Sequence, residues 1–275
     1  MTEKKKVLIV TQEMLPYTEL SDISEIARKL PQYIQEQGME IRVLMPRFGT
    51  INERRHRLHE VVRLSGMNII VDDDDFPLII KVASLPGARI QVYFLDNEDF
   101  FKRKFIFEDE SGQPFEDNPD RMIFFCKGII ETVKKFGWPP DIVHCHGWMT
   151  SLLPFYIREA YKTEPLFQNS KIIYSVYDQN LDRSFTDKFF SKAAINNLTE
   201  KDLDSFRGED GGVRLHRGGI AFADAVIRGS QTLDPETEQL LGQLDKPLLE
   251  HPGEEFLKAY LDFYHELLAE EEVES

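Results

Sequence analysis

Along the first fifty residues the apolar positions change period twice. Lys6–Gln12 (KVLIVTQ) is a nearly unbroken apolar run, which predicts a strand buried on both faces of a parallel sheet. Ile23, Ile26, Ala27, Leu30, Tyr33 and Ile34 then recur at helical spacing. Ser21 or Asp22 can cap this helix, and Glu25 is placed for a capping box. Pro31 predicts a kink or a division, and Gly38 the end. Ile41–Pro46 (IRVLMP) is the next strand, so the segment is a βαβ unit with a right-handed crossover.

Met67–Val71, Leu78–Val82 and Ile90–Leu95 read as further strands separated by acidic or Pro/Gly-bearing turns. A helix from about Pro119 to Phe136, a strand at Asp141–His146, a helix at Met149–Lys162 and a strand at Lys171–Val176 follow. Asp178 to Gly212 is polar and weakly patterned. A helix at Val213–Ala223, a short strand at Ala225–Ile227 and a helix at Pro235–Leu241 complete residues 1–241. Strands alternating with helices predict an α/β fold, a single doubly wound domain with a mostly parallel sheet. Residues 242–275 form a separate unit, an amphipathic helix and an acidic tail. Phe256, Leu257, Tyr260, Leu261, Tyr264, Leu267 and Leu268 make one apolar stripe along it. The stripe either closes the chain's own domain or docks a protein partner or second copy through Glu254–Leu268.

Charge narrows the function classes. Forty-eight acidic residues against 33 basic ones give a net charge of −15, which argues against nucleic acid and anionic membrane as partners. The clusters at Asp72–Asp75, Phe107–Asp117 and Glu270–Glu274 read as solvated loops and a frayed tail, since no calcium-loop spacing occurs in them. No apolar run reaches membrane-spanning length, and MTEKKK is followed only by VLIV, so a soluble cytoplasmic protein is expected. Cys126 and Cys145 lie in apolar segments and are expected to be reduced, buried thiols.

Chemical motifs are sparse. His144 and His146 share one face of their strand and Cys145 takes the other, but no third or fourth ligand makes a zinc site, and no metal is expected. No Gly-rich nucleotide fingerprint and no GxSxG elbow is present, so no cofactor is expected. The carboxylate pair Asp96 and Glu98 carries no weight in so acidic a chain. Trp148 and Tyr177, at strand ends, either offer faces for a sugar ring or pack against neighbouring helices.

Taken in order, EMLPY, QGMEIRVLMPRF, FLDNEDFFKR, DNPDRMIFFCKG, PPDIVHCHGWMTSLLPFYIRE and RGGIAFADAVIRGS resemble the N-terminal domain of bacterial glycogen synthase and plant starch synthase. These are ADP-glucose-using glucosyltransferases, and the resemblance runs from about Lys6 to Leu241. It implies a Rossmann-like half of a GT-B fold, with the active site in the cleft facing a second domain. That second domain carries most of the nucleotide-sugar site, and the resemblance ends where it should begin. ADP-glucose and an α-glucan are the implied partners.

Three cleft motifs of that family are altered. The loop after the first strand, roughly Lys-Thr-Gly-Gly-Leu in the family, reads Glu19-Leu20-Ser21-Asp22-Ile23 after Glu13, so its lysine is a glutamate and its glycines carry side chains. A unit charge about 4 Å from another is worth about 4 kcal/mol at an effective dielectric near 20, so the reversal alone opposes phosphate binding. His-Asp-Trp reads His146-Gly147-Trp148, without the carboxylate. Val-His-Asn reads Val176-Tyr177-Asp178, without the histidine that lies near the reacting sugar. With Asp96 and Asn97, these positions are the cleft candidates, and the resemblance with its losses predicts a domain that does not transfer glucose alone. Glucan or sugar-nucleotide binding without catalysis, or a protein scaffold, are the alternatives.

Overall fold

The computed structural model describes residues 3–179, 181 and 184–274. Its strands are β1 (Lys6–Thr11), β2 (Glu40–Pro46), β3 (His59–Glu60), β4 (Met67–Val71), β5 (Asp74–Ser84), β6 (Gln91–Asp96), β7 (Ile142–His146), β8 (Lys171–Val176), β9 (Ala225–Arg228) and β10 (Leu248–Leu249). The sheet order is β10-β9-β8-β7-β1-β2-β6-β5-β3, with β4 paired on β5. Every pairing from β10 to β6 is parallel, and β5 pairs antiparallel with β3, β4 and β6. β1, β7 and β8 are almost entirely buried, as their unbroken apolar runs require.

The first helix, Ile23–Glu36, runs through Pro31 as one element. The predicted capping box is not formed: Asp22 makes no side-chain cap, and Glu25 pairs with Lys29 instead. The acidic run Asp72–Asp75 is the tip of the β4–β5 hairpin, and its last two residues belong to β5. The helix expected over Met149–Lys162 is broken into a 3-10 turn, a short α segment and a π segment ending at Ala160. β3 and β10 are too short to leave an apolar period in the sequence.

Strand alternation sets the two layers. His144 is hydrogen-bonded to Tyr264 of the C-terminal helix, Phe256–Glu274, so that helix covers one face of the sheet beside the first helix. Cys145 points to the other face, where Asn118–Phe136 supplies Cys126, whose thiol meets the Met149 carbonyl. Both cysteines are free and buried. Tyr260, Leu261, Phe263, Tyr264, Leu267 and Leu268 are buried in the same core as the central strands. Of the two readings of the stripe over Glu254–Leu268, closure of the chain's own domain is the one observed, and docking of a partner on that face is not: the apolar face is covered by the chain itself. The acidic tail continues this helix in its backbone to Glu274, and its side chains lie outside the described residues. No described helix is long and apolar enough to cross a membrane.

Candidate functional site

The chain leaves β1 for β2 on one side and later returns to β7 on the other, so β1 and β7 flank the switch point of the sheet. In open α/β sheets the crevice outside the carboxyl ends at that point is where ligands bind. Two of the altered motifs, the Glu13–Asp22 loop and His146-Gly147-Trp148, border it, and Tyr177 ends the next strand.

The glycine-free loop closes around a carboxylate of its own. Glu13 is fully buried and accepts the backbone N–H of Leu20 (2.7 Å) and of Ser21 (3.1 Å), and the Ser21 hydroxyl as well. Burial pushes its carboxyl up to about 7, while these three hydrogen bonds pull the other way. Two of the loop's amides are therefore engaged from inside. Glu19 and Asp22 are exposed and Ser21 is half-buried.

Gly147 has φ +89°, and a Cβ there would fall 2.2 Å from Gln12 Oε1. The space of the missing carboxylate is thus occupied by Gln12, whose Oε1 accepts from the Met149 N–H (3.3 Å) and whose Nε2 donates to Gln179 Oε1 (2.6 Å). Sequence reasoning passed over Gln12 because its partners are 137 and 167 residues away.

Tyr177 turns inward. Its Oη lies 2.8 Å from His146 Nδ1, and its ring fills the space beside Gly229, where a Cβ would meet Tyr177 Cε1 at 2.4 Å. The His146 and His144 rings stack with centroids 3.8 Å apart. His144 is held between Ser175 Oγ (2.7 Å) and Tyr264 Oη (2.5 Å). Burial lowers His146 to about 3 and holds His144 well below its ordinary range, so both imidazoles are neutral. His146, proposed from the sequence as a cleft residue, is wholly enclosed, and its Nε2 has no hydrogen-bond partner among the described residues.

Other candidates are also structural. Trp148 is 1% exposed and packs edge-on against Phe107 and Phe185, so its face is covered and not offered to a sugar. The same correction applies to Tyr177, 3% exposed. Asp96 is buried in an ion-pair network with Arg47 (3.0 Å) and Lys81 (3.0 Å), which Glu53 completes. Asn97 caps the short helix Glu98–Phe101 and donates to the Pro77 carbonyl. Asp178 is exposed, with its N–H donated to Ser230 Oγ (2.9 Å). No group of three or more His, Cys, Asp or Glu suited to a metal occurs among the described residues.

Next to the closed crevice lies an open cleft of about 600 Å3. Leu20, Thr50, Phe105, Trp148, Gln179 and Leu181 border it, each on a loop beyond the carboxyl end of a parallel strand. Its outer wall is the segment 104–109 after β6, which the sequence offered only as part of an acidic cluster.

An open, mostly parallel α/β sheet with its cleft at the strand ends is the fold of a GT-B-type glycosyltransferase domain. The chain belongs to the starch synthase catalytic domain family, whose profile matches residues 6–248. The glycogen synthase of Chlorobaculum tepidum is 36% identical over 264 residues, covering 96% of this chain and 52% of that protein. That of Chlorobaculum parvum is 35% identical over 239 residues, covering 84% and 48%. The chain spans about half the length of the curated relatives it matches. The structure of the catalytic domain of starch synthase IV from Arabidopsis thaliana, bound to ADP and acarbose, has the same fold, with a TM-score of 0.73 at 16% identity over 90% of this chain and 51% of that one.

Proposed function

We propose that this chain is a starch-synthase-family domain that binds α-glucan and does not by itself transfer glucose from ADP-glucose. The observation that carries the reading is the closure of the switch-point crevice by the chain's own side chains. Gln12 fills the volume over Gly147, and Tyr177 is directed inward to His146. Glu13 engages two backbone amides of the loop that the family resemblance assigns to the nucleotide sugar. Glu19 and Asp22 put two exposed carboxylates on that one loop, and an ADP pyrophosphate approaching it meets repulsion. The Arabidopsis relative holds both ADP and acarbose; the features here disfavour a nucleotide and leave room for a sugar chain.

Transfer of labelled glucose from ADP-glucose to a glycogen primer tests this. The purified chain should give no turnover, yet should be retained by glycogen. Turnover that disappears in a Tyr177→Ala variant would overturn the reading, as would failure to bind any glucan.

A further inference from the structure

Charge is spread unevenly over this acidic chain. Between Arg54 and Arg63 stand four arginines and one glutamate, in a sequence whose net charge is −15. Arg54, Arg55, Arg57 and Arg63 are all exposed, and their guanidinium groups have no ion-pair or hydrogen-bond partner among the described residues. Elsewhere arginines are matched: Arg103, Arg158, Arg214 and Arg228 each hold a carboxylate. Glu53, next to the arginine lobe, is taken by Arg47 and Lys81.

A patch of the opposite sign lies on the same edge of the sheet. Asp72–Asp75 are exposed at the tip of the β4–β5 hairpin. Asp72 reaches only Lys192, at 3.9 Å, and the carboxylates of Asp73, Asp74 and Asp75 have no partner among the described residues. β3 pairs with β5 at Val82 and Lys81, and β4 pairs with it from Leu78 to Asp74. In the connection between them, Val61 N–H donates to the Ile80 carbonyl (2.8 Å) and Gly66 N–H to the Leu78 carbonyl (3.0 Å). Both strands therefore run along one side of β5, away from β6. From Lys81 to Asp74 the rise is roughly 23 Å at about 3.3 Å per residue. No ion pair joins lobe and tip within the chain among the described residues, and a Debye length of about 8 Å at physiological salt screens one from the other. Two of the large apolar side chains exposed among the described residues, Val62 (79%) and Ile70 (53%), fall on this edge, in the turn after β3 and in β4.

Opposite charges set apart on one edge have the form that a two-fold axis requires, since in an isologous contact each patch of one copy meets the other patch of its mate. We infer that the β3–β4 edge is a self-docking surface whose occupant is a second copy of this chain. The arginine lobe of each copy meets the Asp72–Asp75 tip of the other, and Val62 and Ile70 lie between the two charged contacts. Planar guanidinium forks suit carboxylates, which they can bind through two parallel hydrogen bonds. The net charge of −15 opposes association only over distances that salt screens, so the facing patches decide the outcome. Side chains and not strand addition make the contact, because Lys127 Nζ already donates to the Ile70 carbonyl on β4.

Sedimentation velocity of the full chain tests the inference through a charge swap. The parent should be a dimer at about 50 mM salt and a monomer at about 1 M, where screening acts within about 3 Å. The pair Arg54→Glu, Arg55→Glu should weaken dimerisation by at least about a hundredfold, and so should Asp74→Arg, Asp75→Arg. Mixing the two variants should restore a dimer, because each then presents the sign its mate lacks; that recovery also shows that both variants are folded. A parent that is monomeric at low salt would overturn the inference, and binding of a labelled poly-glutamate peptide to that monomer would give the lobe to a foreign acidic partner. A dimer untouched by either charge reversal would place the interface elsewhere. Two variants that stay monomeric when mixed, although their thermal midpoints match the parent's, would refute the pairing of lobe with tip.

Discussion

At the ends of β1, β7 and β8, the side chains of Gln12, Glu13, His146 and Tyr177 bond to one another's neighbours or to the backbone, whereas the loop 104–109 beyond β6 leaves Lys104, Phe105 and Glu108 uncommitted. Both regions lie on the same edge of the same sheet. In the first, a polar atom that lost its partner would be stranded away from water, so each of these side chains is tied to the fold by at least one hydrogen bond, and His146 Nε2 is the atom left over. In the second, solvent satisfies whatever the protein does not, so the side chains are free to be used by a ligand. Position at the strand ends therefore does not by itself leave a residue available to a ligand; the fold must also leave it unspent.

The contrast is broken most directly by unfolding in urea. Tyr264→Ala removes a buried ring and the partner of His144 Nδ1, and should destabilise by about 3–5 kcal/mol. Phe105→Ala should change stability by no more than about 0.5 kcal/mol. Comparable losses in the two variants would mean that the open loop is part of the core. Next in size is Gly147→Asp, which restores the family's carboxylate at φ +89° and against Gln12, and should cost about 2–3 kcal/mol. Adding Gln12→Ala should recover part of that loss; additive losses in the double variant would show that Gln12 is not what fills the space.

Acidity sharpens the comparison within the closed region. An unfolded histidine gains a proton near 6.5, whereas folded His146 resists to about 3 and His144 stays well below 6.5. Their contribution to stability is present above pH 6.5 and is lost as the medium is acidified. Glu13 acts in the opposite sense, since its folded carboxyl keeps a proton up to about 7 while the unfolded one releases it near 4.5. Its contribution is present below 4.5 and is lost as pH rises to 7. Near pH 5.5 these effects oppose, so Glu13→Gln should make stability rise more steeply with pH, by about 1.4 kcal/mol per unit. Parallel pH profiles for parent and variant would place the Glu13 carboxyl in solvent. Within the closed region the smallest expected loss is that of Tyr177→Phe, about 1 kcal/mol for the hydrogen bond to His146. A loss several times larger would mean that Tyr177 Oη anchors the wider set with Ser175 and Tyr260.

The periodic segments were legible. Lys6–Gln12, Asn118–Phe136, Ile142–His146 and Lys171–Val176 carry enough apolar residues at one spacing to name their element, and the alternation of His144, Cys145 and His146 foretold their faces. The same pattern could not say what covers a face. Phe256–Leu268 gives one amphipathic stripe whether it docks on its own sheet or on another chain, and only the contact of Tyr264 with His144 decides it. The capping box failed for a related reason: Asp22 makes no side-chain cap and Glu25 is taken by Lys29. Ser21 Oγ accepts from the Ile23 N–H (3.3 Å) and donates its hydroxyl to Glu13, brought back by the turn of the loop. Trp148 and Tyr177 were equally open to either role until their burial was seen.

From residues alone follow the α/β class, the family and the positions at which three cleft motifs are altered, because apolar period, charge sign and residue identity are properties of the chain itself. What replaced the lost groups was decided by tertiary structure. Gln12 meets Gly147 and Gln179, and Tyr264 meets His144 across 120 residues, through a sheet order that no local pattern encodes. Whether a side chain is consumed by the fold or left for a ligand depends on those distant neighbours and on the water they exclude.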